Sequence, residues 1–164
     1  MTINYKIRQI KAEDNSHIAK IIRDNLKNYG LDIPGTAYFD SSLDNLYEYY
    51  YPFDNKGYYV MVDESDNVIG GVGFDKDCHF ENCAELQKLY LADSVKGLGL
   101  SYILMEHIEK QIKQKGYSAI YLETHDNLKT AIHVYNKCGF AEIERPVDLI
   151  HGAMNMFFYK KLDE

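Results

Sequence analysis

A chain of 164 residues, 46% of them hydrophobic, is long enough to bury the core of a single domain covering residues 1–164. Its formal net charge of −7 disfavours nucleic acid, which needs a basic face, and no apolar run is long enough to cross a bilayer. Three cysteines, odd in number and without a CxxC spacing, argue against a disulfide frame and against a zinc site.

The opening stretch MTINYKIRQIKAED is too polar for a signal peptide, which predicts a cytoplasmic protein. Within it, residues 4–10 alternate, with Tyr5 and Ile7 on one face, as an edge or near-edge strand does. Asp14 or Asn15 can cap the next helix, whose buried stripe is Ile18, Ile21, Ile22 and Leu26, and Gly30 stands where it stops. A loop with Pro34 and Gly35 leads to Ser41 or Ser42, which starts a short helix holding Leu43, Leu46, Tyr47 and Tyr50. Residues 57–63 and 68–74 read as paired strands across a polar turn, and 75–82 as a loop.

Residues 83–91 are apolar enough for a buried central strand. Leu100, Ile103, Leu104, Ile108 and Ile112 then recur at helical spacing, and Lys113, Lys115 and Gly116 close that helix. Residues 118–124 form a strand parallel to the central one by the βαβ rule. A helix over 128–136 closes at Gly139, and 140–144 and 155–162 are the last two strands. This order predicts an α/β protein of the α+β kind, a mixed central sheet flanked by helices on both faces.

Between the central strand and its helix lies Lys96-Gly97-Leu98-Gly99-Leu100-Ser101. Two glycines let the backbone come close to a ligand, and the free amides and dipole of a helix start favour an anion, above all a phosphate. The turn lacks the third glycine of a dinucleotide fingerprint and the GK[ST] of a P-loop. Taken alone, the glycines favour a tight strand–helix connection that binds nothing.

Downstream stands Ala131-Ile132-His133-Val134-Tyr135-Asn136-Lys137-Cys138-Gly139-Phe140. With the Gly-rich turn, in this order, it resembles the GCN5-related N-acetyltransferase (GNAT) family, whose marks read [QR]-x-x-G-x-[GA] and AIxLYxKxGF. Lys96 replaces the family's Gln or Arg, and Ser101 its Gly or Ala. The resemblance implies the GNAT acyl-CoA acyltransferase fold, with the cofactor entering a gap where the central strand and the next splay apart. It also implies acetyl-CoA as cosubstrate, with the pyrophosphate on Lys96, Gly97, Leu98, Gly99, Leu100 and Ser101. The backbone of Leu89, Tyr90 and Leu91 would pair with the pantetheine arm. The family's Asn falls at Leu128; Asn127, one residue earlier, either reaches the pantetheine or phosphate end or caps the helix.

Acetyl transfer from a thioester to an amine requires loss of the amine's proton, a donor to the oxyanion and an acid for the thiolate. Direct attack needs neither a nucleophilic side chain nor a metal, and none of the six histidines stands in a metal-binding pattern. The resemblance places the acid at Tyr135 and a water-relayed base at Glu85. The alternatives are a tyrosine that only packs and a glutamate that faces solvent or Lys88. His125 could lie near the cleft; His133 and His151 have weaker claims. Tyr38, Tyr47, Tyr49, Tyr50 and Tyr51 are candidates for the acceptor pocket, Tyr47 and Tyr50 doubling as helix core. The expected activity is acetylation of a primary amine on a small molecule or peptide. The rivals are a non-catalytic acyl-CoA sensor and a protein N-terminal or lysine acetyltransferase. Family members often pair through their terminal strands, which implies a homodimer.

Overall fold

The computed structural model describes residues 3–147 and 152–163, so His151 lies outside the described residues. Alternation builds the sheet: on the strand Gly57–Val62 (β2), Tyr58, Val60 and Val62 enter one core and Met61 the other, on the opposite face. The other strands are β1 (Lys6–Gln9), β3 (Val68–Lys76), β4 (Cys83–Leu91), β5 (Ala119–Thr124), β6 (Ala141–Ile143) and β7 (Met156–Lys161). They form a seven-stranded sheet ordered β1-β2-β3-β4-β5-β7-β6. Every neighbouring pair is antiparallel except β4 and β5, which are joined through the helix Leu100–Gln114 (α3).

One core lies beneath α3 and the helix Lys129–Lys137 (α4): Leu104, Ile108, Ile112 and Val134 cover Val72, Phe74, Ala84 and Leu86. The other lies beneath the helices Asn15–Asn28 (α1) and Leu46–Tyr50 (α2), where Ile18, Ile22, Leu26 and Leu46 meet Tyr58 and Val60. Helices therefore cover both faces, as the element order predicts. Among the described residues no helix is long and apolar enough to cross a membrane.

Two features of the sheet prepare the site. First, β4 and β5 pair only at Cys83↔Ala119, Ala84↔Ile120 and Glu85↔Tyr121, although β4 runs on to Leu91 and β5 to Thr124. Beyond Glu85 the strands part, which is the splay that the family resemblance implies. Second, Gly71 pairs with Tyr90 but Gly73 with Gln87, so Val72 stands against both Lys88 and Leu89. This is a β-bulge, and Lys88 takes the left-handed φ of +53°. Tyr58 fastens it by donating its hydroxyl to the Lys88 carbonyl at 2.7 Å. Gly71 and Gly73 make room, because a Cβ there would come within 2.6 Å and 2.4 Å of the Tyr58 ring.

Two local expectations are corrected. β3 continues to Lys76, because Asp75 and Lys76 pair with Glu85 and Ala84. Asp14 takes the N-cap position of α1, but its side chain makes no capping hydrogen bond to that helix. Its carboxylate accepts Arg8 Nη1 at 2.7 Å, Arg8 Nη2 at 3.0 Å and the Lys11 amide at 2.7 Å. Burial pulls its pKa upward, but Arg8 and the Lys11 amide outweigh burial and hold it below the usual carboxylate range. Stability from this pair is thus full above the unfolded pKa, near ~3.9, and is lost as pH falls through the lower folded value. Asp14→Ala is expected to cost about 1–2 kcal/mol at pH 7, less near pH 3, in urea melts at the two pH values. An equal cost at both would remove the ionic part of the account.

Candidate active site

Where β4 and β5 part, a cavity of about 500 Å³ opens. Leu86, Lys88, Leu89, Tyr90 and Leu91 line it from β4, Glu123 and Thr124 from β5, and Ala131, His133, Val134 and Tyr135 from α4. Asn25 closes it from α1, and Tyr29 from the residue that follows the helix.

The Gly-rich turn forms one end, through Lys96, Gly97, Gly99, Leu100 and Ser101. Gly97 and Gly99 have φ of +81° and +76°, and a Cβ on either would meet nothing within 4 Å. The glycines thus serve backbone conformation and leave open space beside the turn. Gly99 stands at the N-cap of α3 and offers no side chain to the first amides, an arrangement suited to a phosphate. Lys96 Nζ lies 2.8 Å from Asp93 Oδ1 and 5.3 Å from the Tyr29 ring centre, which keeps a cation at the turn. Leu98 does not line the cavity; it packs against the core beneath α3.

Tyr135 is 5% exposed, its ring about 6.0 Å from those of Phe140 and Phe158. Burial, then neighbouring Tyr90, push its phenol pKa well above the ordinary value, so it stays protonated. Among the described residues its hydroxyl has no hydrogen-bond partner, and the residue lines the cavity. Tyr90 is shifted the same way by burial and by Asp40.

Glu85 sits at the last rung before the strands part and does not line the cavity; its Oε1 accepts Gln87 Nε2 at 2.7 Å. Gln87 in turn accepts the Tyr50 hydroxyl. Glu123 does line the cavity, and its Oε2 accepts the Tyr121 hydroxyl at 3.0 Å. Tyr49 donates to Asp75 Oδ2 at 2.7 Å. Tyr50 is buried, whereas Tyr51 is exposed and stacks on Tyr47 at 5.0 Å. Asn127 neither lines the cavity nor caps α4: its Nδ2 donates to the Tyr29 carbonyl at 2.9 Å, tying the β5–α4 loop to the end of α1. His125 accepts the Asn127 amide at 3.0 Å, and His133 borders the cavity. Among the described residues the set of side chains able to share a metal ion is Asp77, Cys78 and His79, and none of them lines the cavity.

Sequence reasoning missed Asn25, Lys88 and Asp40. Asn25 had a signal, a polar residue on the buried stripe of α1, and it donates to the Leu91 carbonyl at 2.8 Å. Lys88 Nζ lies 3.2 Å from Asp40 Oδ2.

A family model described as Acetyltransferase (GNAT) family matches residues 28–140. The chain belongs to this family. An uncharacterized N-acetyltransferase of Escherichia coli (strain K12), YjgM, is 34% identical over 141 residues, covering 84% of this chain and 83% of that protein. A GNAT acetyltransferase from Staphylococcus aureus Mu50 has the same fold, with a TM-score of 0.83 at 21% identity, over 98% of this chain and 100% of that one. So does the PaiA N-acetyltransferase of Thermoplasma acidophilum, solved in complex with coenzyme A, with a TM-score of 0.74 at 20% identity, over 98% and 100%. This GNAT chain is thus an acetyl-CoA-dependent N-acetyltransferase.

Proposed function

We propose that this GNAT enzyme seats acetyl-CoA in the cavity between β4 and β5 and transfers the acetyl group directly to the primary amine of a small molecule. The observation that carries this reading is the parting of the strands after Glu85, with an open Gly-rich turn at the cavity end and Tyr135 among the residues of its wall.

In this reading the amides of Gly97 to Ser101, with Lys96, hold the pyrophosphate. The backbone of Leu89, Tyr90 and Leu91, freed from β5, pairs with the pantetheine arm. Asn25 fixes the Leu91 carbonyl, and Asn127 holds the loop that borders the cofactor's entrance. Amine nitrogen attacks the thioester carbonyl carbon; the C–N bond forms and the C–S bond breaks. Glu85, at the last β4–β5 rung and not itself on the cavity wall, takes the proton from the amine through water. Tyr135 protonates the departing sulfur. Amide and free thiol leave.

A panel of amines with acetyl-CoA, followed by thiol release, tests the reading; no release with any amine would overturn it. Gly99→Val tests the turn. A branched side chain at φ +76° fills the space beside the amides and is strained by about 1–3 kcal/mol. It is expected to raise the Kd for coenzyme A by at least about tenfold in titration calorimetry. Gly116→Val is the control, since Gly116 has φ of +91° and equally open surroundings but does not line the cavity. A folded Gly99→Val variant with wild-type affinity would move the phosphate elsewhere.

A further inference from the structure

The Lys88–Asp40 pair has no explanation in the fold. Its atoms are 3.2 Å apart, with the side chains only 8% and 21% exposed. Removing two charges from water costs about as much as their attraction returns, so a buried ion pair is weak ground for stability. The conformation adds to the cost. Lys88 holds a left-handed φ of +53°, uncommon for a residue with a side chain, and strain of this kind collects at functional sites. The bulge and the Tyr58 hydroxyl bond keep it so. The fold thus spends room and strain to hold one lysine at the wall of the cavity.

The placement of the two charges is informative. Lys88 lies on β4 beyond the point where β5 departs and lines the cavity. Asp40 is not itself a lining residue; it comes from the loop between α1 and α2 and meets the Lys88 ammonium, so cation and anion come from two different elements. An acceptor entering here must leave both charges satisfied. A polyamine brings further cations against Lys88, and a simple alkylamine engages Asp40 but strands Lys88. A molecule carrying an ammonium and a carboxylate close together replaces each partner charge for charge.

We infer that the acceptor is an amino acid or a close amino-carboxylate analogue, its carboxylate held by Lys88 and its ammonium group received by Asp40. This rests on the transferase reading above and narrows it. Lys88 is then a specificity-determining residue, and the ion pair is the empty site's stand-in for its ligand.

The test uses matched acceptors: phenylalanine against phenethylamine, lysine against cadaverine, with spermidine alongside, by thiol release at saturating acetyl-CoA. The wild-type enzyme is expected to favour the carboxylate member by at least about tenfold in kcat/KM, the scale of one charge-assisted hydrogen bond. Lys88→Met, which keeps the stem, is expected to bring the ratio within about threefold through the acid's KM rather than kcat, and Lys88→Arg to restore part of it. A wild-type preference for the decarboxylated amines or spermidine overturns the inference while leaving the transferase reading intact, and needs no variant. So does an unchanged ratio in Lys88→Met. A binding arm separates the two readings. With coenzyme A present, N-acetylphenylalanine should raise the melting temperature and N-acetylphenethylamine should not, and Lys88→Met should lose the shift. That pattern without turnover of any amine upholds carboxylate recognition and overturns the transferase reading. No shift with either product, or a shift that survives in Lys88→Met, overturns the inference.

Discussion

Tyr135→Phe is expected to lower kcat about 100-fold, the lower range for a general acid, with little change in the KM for acetyl-CoA. The two parts of the expectation come from different parts of the side chain. The ring packs near Phe140 and Phe158 in the core beneath α3 and α4, and phenylalanine keeps that packing, so the fold and the cofactor's seat should persist. The hydroxyl is needed only as the thiolate forms, so its loss falls on the transition state. The pH dependence carries a sign. Burial and Tyr90 raise the phenol's pKa, so the acid form survives to higher pH than in an ordinary tyrosine. Wild-type kcat is therefore expected to show no alkaline fall from this group up to about pH 10, the usual tyrosine value. Full activity in the Phe variant would reduce Tyr135 to a packing residue.

Glu85→Gln is expected to lower the rate at pH 7 by about 10- to 100-fold, with partial recovery as pH rises. An alkylammonium acceptor has a pKa near ~10.4, so it arrives protonated, and raising the pH supplies the free amine that the variant cannot generate. Acetyl-CoA affinity is expected to hold, because Glu85 lies at the last β4–β5 rung, away from the Gly-rich turn. Glu123→Gln belongs in the same experiment. Glu85 and Glu123 stand on adjacent parallel strands near the rung where these part, but Glu123 reaches the cavity wall and Glu85 does not. If the acetyl acceptor's proton passes through water to Glu85, the pH-dependent deficit belongs to Glu85→Gln and the Glu123 variant shows a smaller one. A wild-type profile in Glu85→Gln beside a steep one in Glu123→Gln would transfer the role to Glu123.

The sequence by itself determined the local elements and their order. An apolar run ending at a polar turn marks β2, the continuous apolar run marks β4 with its observed bounds, and the 3.6-residue stripe marks α3. The positive φ of Gly97 and Gly99 is equally local, since glycine is the residue that takes it freely. These features were legible because each depends on neighbours within one turn or one strand. The family marks then led to the gap between two strands that no periodicity shows.

Only the tertiary structure decided which charges meet. Glu85 and Glu123 are two carboxylates on two strands in the sequence, and only the parting of β4 from β5 gives the second one a place on the cavity wall. Asp14 looked like a helix cap and became the partner of Arg8, because β1 brings that guanidinium within 2.7 Å. Asn25 finds the Leu91 carbonyl and Lys88 finds Asp40 across contacts that sequence spacing does not encode. The bulge that aims Lys88 is likewise a mismatch of register between two strands, set by Tyr58 and the glycines opposite it. A hydrophobic pattern specifies which face of an element is buried, but it is blind to the polar partner waiting there, and in this enzyme those partners shape the candidate site.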